Sequence, residues 1–151
     1  MAAHDSYLTL KDFFESRRSA RQAMNAIKEG VEIGVVIGGS HDCALFRQGE
    51  NPVVEERPAH NPDVVFHIRP EALEVIATKT KDEIGDVGVN VLKEILAGSI
   101  QIKVPGKILN LMSRGYLDML RAGGAPVMTL LARNGLASVT KIISSIKKMK
   151  S

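Results

Sequence analysis

The sequence is poor in cysteine, with Cys43 the single one among 151 residues. One cysteine cannot form a disulfide within the chain or a multi-cysteine zinc site, so the fold must depend on its hydrophobic core. A chain of this length typically buries roughly 68–70% of the surface that its unfolded form exposes, which is enough for such a core. We therefore expect a single domain in a reducing, cytoplasmic location.

Long hydrophobic runs are also missing. No window reaches the roughly eighteen uncharged apolar residues that a membrane span needs, and the start of the chain has no signal-peptide pattern. These absences favour a soluble protein, while peripheral contact with a membrane surface stays open.

Aromatic residues are scarce, because the chain has no Trp, two Tyr and four Phe. Single-stranded nucleic acids are commonly bound by stacking bases on aromatic rings, and this sequence offers few such platforms. The composition therefore disfavours nucleic acid as a partner.

Motifs for catalysis or metal binding are absent as well. Gly34, Gly38 and Gly39 follow a predicted strand without the spacing of a dinucleotide-binding loop. His41 and Cys43 would lie on one side of an extended chain with Asp42 on the other, so they do not build a catalytic relay. We expect no enzyme activity, no cofactor and no metal, and interpret Cys43 as a small buried thiol.

Charge is distributed unevenly along the chain. Residues 1–106 contain 12 Lys and Arg against 16 Asp and Glu, a net charge of −4. Residues 107–151 contain 8 basic residues against the single acid Asp118, a net charge of +7. The basic part indicates an anionic partner such as lipid headgroups, an acidic protein or nucleic acid.

The first two thirds of the chain show periodicities of both helices and strands. Apolar residues at helical spacing predict a helix over 10–27, with Thr9 as its N-cap and Gly30 at its end. Alternating residues, together with turn signals at 38–40 and 48–52, then predict four strands joined as an antiparallel meander. These strands cover 31–37, 42–47, 53–57 and 63–68.

Helical spacing dominates the rest of the chain. We predict helices over 71–78 and 84–96, the latter ended by Gly98, and a strand over 99–104. The segment 107–121 is apolar on most sides, and 127–133 can add one or two turns. Residues 136–150 form an amphipathic pattern, with one apolar stripe of Leu136, Val139, Ile142, Ile143, Ile146 and Met149.

The apolar surplus of 107–121 has two interpretations. It can be the central core helix, or it can line a cavity for an apolar ligand together with the strand 100–104 and the helix 84–96. Methionines suit such a lining because their side chains adapt to varied shapes. The predicted ligand-binding residues are Leu92, Leu96, Ile100, Ile102, Val104, Leu109, Met112 and Met119.

Two stretches resemble the sterol carrier protein 2 (SCP2) family. They are PDVVFHIRPEALEVIA at 62–77 and VLKEILAGSIQIKVPGKILNLM at 91–112. The resemblance implies an α/β (α+β) domain with a five-stranded, mostly antiparallel sheet, covered by helices that enclose a hydrophobic tunnel. It also implies non-catalytic binding or transport of a sterol, fatty acid, phospholipid or acyl-CoA.

The resemblance covers residues from about 10 to 122 and is absent beyond Gly124. It implies an SCP2-like lipid-binding domain over 1–124, with 125–151 as a basic, helical C-terminal extension of the same domain. The region from Gly85 to Val89 is longer and more apolar than the usual link of the family. The ligand can therefore differ from those of the family, or the extension can close or open the tunnel.

The extension has two interpretations of its own. Its lysines can contact an anionic membrane surface, or they can be solvated residues of a helix that packs on the domain. The lysines concerned are Lys141, Lys147, Lys148 and Lys150. As an alternative function, the apolar helical surface can serve protein interaction or homodimer formation, with no lipid ligand.

Overall fold

The computed structural model describes residues 3–105 and residue 122. In this part of the chain, four helices and five strands make a mixed α+β fold, as the sequence predicts. Their bounds are α1 Ala3–Ser16, α2 Arg18–Met24, β1 Ile33–Ile37, β2 His41–Gln48, β3 Asn51–Glu55, β4 Val65–Ile68, α3 Pro70–Lys79, α4 Ile84–Ala97 and β5 Ile100–Lys103.

The five strands form one sheet in the order β3-β2-β1-β4-β5. The pairs β1–β2, β2–β3 and β4–β5 are antiparallel, and β1–β4 is parallel. The prediction of a five-stranded, mostly antiparallel sheet is therefore confirmed.

The predicted meander of four strands is wrong for the fourth. β1, β2 and β3 form the meander, but β4 pairs in parallel with β1, so that Val35 lies opposite Phe66. The segment 56–64, which contains Pro58 and Pro62, is a crossover past β2 and β1 and not a tight turn. This path gives β1 a partner on each side, which suits a strand whose five residues are all buried.

The core lies on one face of the sheet, which we call the helical face. Strand residues that alternate along the pairing register supply it, among them Val35, Cys43 and Phe66. Helices α1, α2 and α3 supply the other side, and α4 adds half-buried residues. The buried members are Leu10, Phe13, Ala20, Met24, Ile27, Val31, Ile33, Val35, Ile37, Cys43, Leu45, Val54, Ile68, Ala72, Leu73, Ile76 and Ile100.

The single helix predicted over 10–27 is in fact two helices. α1 begins at Ala3, so Thr9 lies inside it and donates its hydroxyl to the carbonyl of Asp5 at 3.0 Å, instead of capping a helix. The break falls at Arg17, and α2 ends at Met24, before Gly30. The carboxylate of Asp82 explains the new start, because it accepts the backbone N–H of Ser19 at 2.8 Å. This cap comes from a loop far along the chain, which helical spacing does not reveal.

The edge strand β3 is closed by side chains of α1. Glu15 accepts the backbone N–H of Val54 at 3.0 Å, and Lys11 donates to the carbonyl of Val54 at 3.3 Å. Lys11 and Glu15 also form an ion pair at 2.7 Å. Tyr7 donates its hydroxyl to the same carbonyl at 3.4 Å. The outward backbone groups of Val54 are therefore satisfied, which blocks pairing with another strand at this point.

The remaining elements agree with the sequence predictions. α3 has Pro70 in its first turn, α4 ends before Gly98, and β5 covers the predicted apolar alternation. None of the helices in the described part of the chain has the length and apolar character that crossing a bilayer requires. The predictions for 107–121, 127–133 and 136–150, and the boundary at 124/125, lie outside the described residues.

Candidate functional site

The apolar residues predicted to bind a ligand begin at the junction of α4 and β5. Gly98 ends α4 in the left-handed conformation with φ 86°, which glycine adopts without steric cost. The N–H of Ser99 then donates to the carbonyl of Glu94 at 2.9 Å. This tight reversal returns the chain along α4, so that β5 packs against the helix that precedes it.

β5 directs its apolar residues to the helical face. Ile100 lies opposite Ile68 and is 4% exposed. Ile102 lies opposite Phe66, and the side chains of Ile102 and Phe66 are half-buried. Val104 continues the alternation and is fully buried. Phe66 was not predicted as a site residue, although its place in an alternating strand indicated that it faces the core.

α4 carries more apolar surface than its packing against the core buries. Val87, Val91 and Ile95 form one ridge that packs against the core cluster. A second ridge of Val89, Leu92 and Leu96 follows along the same helix, and only Leu92 in it is buried, at 7% exposure. The other two are half-buried and lie outside the core cluster. This helix therefore has apolar surface beyond what its contacts with α2, α3 and β5 cover.

Five of the eight predicted ligand-binding residues thus lie on α4, on β5 or directly after β5. They are Leu92, Leu96, Ile100, Ile102 and Val104, and we call them the α4–β5 surface. The other three predicted residues, Leu109, Met112 and Met119, lie outside the described residues. The same holds for the lysines predicted to contact a membrane, which are Lys141, Lys147, Lys148 and Lys150.

Two open grooves on the described surface do not contain the α4–β5 surface. One, of about 360 Å³, lies between α1 and α3 and is lined by Leu8, Thr9, Asp12, Phe13, Arg17, Ala77 and Thr78. The other, of about 350 Å³, lies where α3 begins and α4 ends, and is lined by Arg69, Glu71, Ala72, Val75, Glu94 and Ser99.

Sequence reasoning did not single out the second groove. Its rim combines Arg69 with Glu71 and Glu94, so it presents both signs of charge and selects neither. The N–H of Arg69 donates to the carbonyl of Ser99 at 3.0 Å, which joins the two ends of the groove. No local sequence pattern predicts this contact, because Arg69 and Ser99 are thirty positions apart in the chain.

Cys43 is not a reactive thiol. It is 1% exposed on the helical face of β2, and burial, with the nearby charges of Glu56 and Asp42, raises its pKa to about 11. A thiol with such a pKa is protonated at neutral pH, and the thiolate is the nucleophilic form. The interpretation of Cys43 as a buried structural residue is confirmed.

Two of the four histidines meet at one carboxylate. His4 Nδ1 lies 3.0 Å and His41 Nε2 lies 2.9 Å from the same Oε2 atom of Glu56. These hydrogen bonds lower the pKa of Glu56 and join the start of α1 to the start of β2 and the end of β3. Within residues 3–105, no group of three His, Cys, Asp or Glu residues is placed to hold a metal ion.

The fold was compared with those of solved structures. The fold is similar to a solved structure described as "UbiJ-SCP2 Ubiquinone synthesis protein", with a TM-score of 0.46 and 14% sequence identity. The similarity covers 78% of this chain and 90% of that chain. No protein-family model matches the sequence, and no curated protein matches it.

Proposed function

We propose that this protein binds or transfers a hydrophobic ligand without catalysis, and that the α4–β5 surface forms one wall of the binding cavity. The ligand class is a sterol, fatty acid, phospholipid or acyl-CoA, as the resemblance of 62–77 and 91–112 to SCP2 sequences implies. The opposite wall comes from the apolar segment 107–121, through Leu109, Met112 and Met119.

The observation that carries this proposal is the second apolar ridge of α4. In a monomer, the apolar stripe of a surface helix normally faces the core, and polar residues occupy the opposite side of the helix. α4 leaves Val89 and Leu96 half-buried, and Ile102 on the adjacent strand is half-buried too. Covering such surface with an apolar ligand is favourable by about 25 cal/mol per Å² removed from water. Surplus apolar area next to a packed core is therefore a physical basis for lipid binding.

The experiment uses the purified full chain and a fluorescent fatty-acid analogue that brightens in apolar surroundings. A binding cavity predicts saturable brightening, displaced by unlabelled palmitate. Leu96→Asp, which places a charge on a half-buried position, weakens binding about tenfold or more in this proposal. Leu8→Asp is the matched control, because Leu8 is 46% exposed on α1, away from the α4–β5 surface. Equal affinity of both variants contradicts the proposal.

The alternative function, a dimerisation module without lipid, predicts a different result in native mass spectrometry. A lipid-binding monomer retains copurified lipid that organic extraction recovers. A tight, empty dimer, dissociated by Leu96→Asp, supports the interaction module instead and contradicts lipid binding.

The basic extension is proposed to guide the protein to anionic membranes. Lysines attract a negative surface by about 1 kcal/mol each within a Debye length, so four of them give a measurable effect. The test is flotation with vesicles of phosphatidylcholine alone or with phosphatidylserine added. We expect binding to the mixed vesicles only, and its loss when Lys141, Lys147, Lys148 and Lys150 are replaced by Gln. Unchanged flotation of that variant contradicts the membrane role.

A further inference from the structure

The sheet has a second face, opposite the helical face, that also carries apolar residues. The pairing register places Gly34 opposite Ala44 and Phe46 opposite Val53, and the same alternation brings Val36 to this face. Val65 lies opposite Gly34 in the parallel pair. We call Val36, Ala44, Phe46, Val53 and Val65 the second-face stripe, and it crosses four strands from β3 to β4.

The core cluster that α1–α4 share with the sheet contains none of this stripe, yet part of the stripe is buried. Val36 is 8% exposed and Ala44 is 0% exposed. β1 is buried at all five positions, so both of its faces are covered. A strand of this kind belongs in a sheet with layers on both sides, whereas the described helices pack on one.

A network of charged side chains covers one end of the second-face stripe and does not reach the other end. Arg57 donates two hydrogen bonds to the carboxylate of Glu32, each at 2.9 Å, and a third to the carboxylate of Glu55. The guanidinium group of Arg57 lies 5.6 Å from the centre of the ring of Phe46. This network lies near Ala44, which pairs with Glu55. Val36 lies four residues along the chain from Glu32, about 13 Å at the usual rise of a strand. On the same face it is paired with Asp42 and His67, of which Asp42 is exposed and His67 is half-buried. We therefore attribute the burial of Val36 to a further cover.

We propose that the C-terminal segment 136–150 docks on the second-face stripe through its own apolar stripe. The sequence predicts an amphipathic helix there, with apolar residues on one side from Leu136 to Met149. Thirteen helical steps of 1.5 Å give a length of about 20 Å. Four strands are separated by three spacings of 4.8 Å, which give about 14 Å between the outer strand axes. The apolar stripe of the segment is therefore long enough to cross all four strands.

Connectivity and pattern favour this segment over 107–121. Thirty residues separate Pro105 from Leu136, a length that reaches any part of a domain of this size. A helix with a single apolar stripe suits a flat sheet face, because its other side can stay in water. The segment 107–121 is apolar on most sides, which suits a position with neighbours on several sides. Charge favours it as well, since 136–150 contains four lysines and no acid, whereas residues 1–106 carry a net charge of −4.

On the second face, the side chain of Val65 fills the space beside Gly34. A Cβ atom at Gly34 would lie 3.0 Å from a methyl group of Val65, so this part of the face is apolar although Gly34 has no side chain. Docking leaves the lysines of the segment pointing to water, available to anionic headgroups while the apolar stripe is occupied. The proposal does not depend on whether the α4–β5 surface binds lipid.

The test measures the maleimide reactivity of Val36→Cys in the full chain, with Cys43 as an internal control on the helical face. Labelling at each cysteine is followed by peptide mass spectrometry. We expect both thiols to react slowly in the folded protein. The double variant Ile142→Asp/Ile146→Asp then speeds labelling at position 36 about tenfold or more and leaves Cys43 slow, because only the second face opens.

A matched control adds the same charge to the polar side of the segment. Ser144→Asp/Ser145→Asp leaves both labelling rates unchanged. Should Val36→Cys fail to fold, Val65→Cys on the neighbouring strand β4 reports on the same face. Fast labelling at position 36 in the protein with an unchanged segment 136–150 overturns the proposal. Slow labelling that survives Ile142→Asp/Ile146→Asp also overturns it, since another part of the protein then covers the face. Protection that disappears on dilution overturns it in favour of a second copy.

Discussion

The two edge strands of the sheet, β3 and β5, are covered in different ways. At the β3 edge, α1 satisfies the outward backbone groups of Val54 with Glu15, Lys11 and Tyr7, and Val54 is fully buried. At the β5 edge, α4 packs on the strand but leaves Leu96 half-buried. The first edge is closed by matched polar contacts over a complete core, and the second retains apolar surface. Surplus apolar area of this kind is where a ligand or partner gains most from binding.

The largest effect expected from this comparison is at the core of the β3 edge. Val54→Ala removes two methyl groups from a fully buried site and should lower the free energy of unfolding by about 2–3 kcal/mol. Chemical denaturation measures the change. The matched control is Val53→Ala on the second face, where the side chain is half-buried and the loss should be clearly smaller. Equal losses would show that the β3 edge is not the better packed site.

A smaller effect is expected from the ion pair between Glu32 and Arg57. Hydrogen bonds from Arg57 and from the N–H of His60 lower the pKa of Glu32 to about 2. Glu32→Gln should cost about 1–2 kcal/mol at pH 7, since a charged hydrogen bond is lost at a partly exposed site.

The pH dependence of that loss has a definite sign. Because the folded-state pKa of Glu32 is depressed, its stabilisation is present above pH 5 and is lost as the pH falls toward about 2. The difference between the native protein and Glu32→Gln should therefore shrink as denaturation is repeated from pH 6 down to pH 3. A difference that stays constant over this range would contradict the assignment.

The polar closure of the β3 edge should contribute less. Glu15→Ala leaves the N–H of Val54 without its acceptor and should cost about 1 kcal/mol. Amide hydrogen exchange gives a local measurement, because the N–H of Val54 should exchange faster while core amides of β1 do not. Exchange at Val54 equal to that of the native protein would mean that Glu15 does not close the edge.

The smallest effect is expected at the β5 edge. Leu96→Ala should change the free energy of unfolding by no more than about 0.5 kcal/mol, because the lost contacts are partial and Ala is the better helix former. Leu73→Ala is the matched control, since Leu73 is 2% exposed on α3 and its truncation should cost about 2–5 kcal/mol. A large loss from Leu96→Ala would show that the α4–β5 surface is ordinary core.

Sequence patterns predicted the elements well where the signal is local. Strand alternation and turn residues together marked all five strands, and Pro70 and Gly98 marked the start of α3 and the end of α4. The same alternation placed Ile100 and Ile102 on one side of β5. These features depend on the direction of side chains along a strand and on backbone conformations that particular residues favour.

Contacts between distant residues could not be predicted in this way. The cap of α2 by Asp82 broke a helix that looked continuous, and the crossover over 56–64 made β4 parallel to β1. The candidate site shows the same limit. Periodicity identified the apolar residues of α4, but it did not say which ridge the core would use.

The sequence by itself determined the periods of the helices and strands, the apolar faces and the change of charge at residue 106, because each is a property of near neighbours in the chain. Only the tertiary structure decided the strand order, the closure of the β3 edge and the half-buried second ridge of α4. These depend on which surfaces meet after the chain has crossed the sheet, and many pairings satisfy the same local pattern.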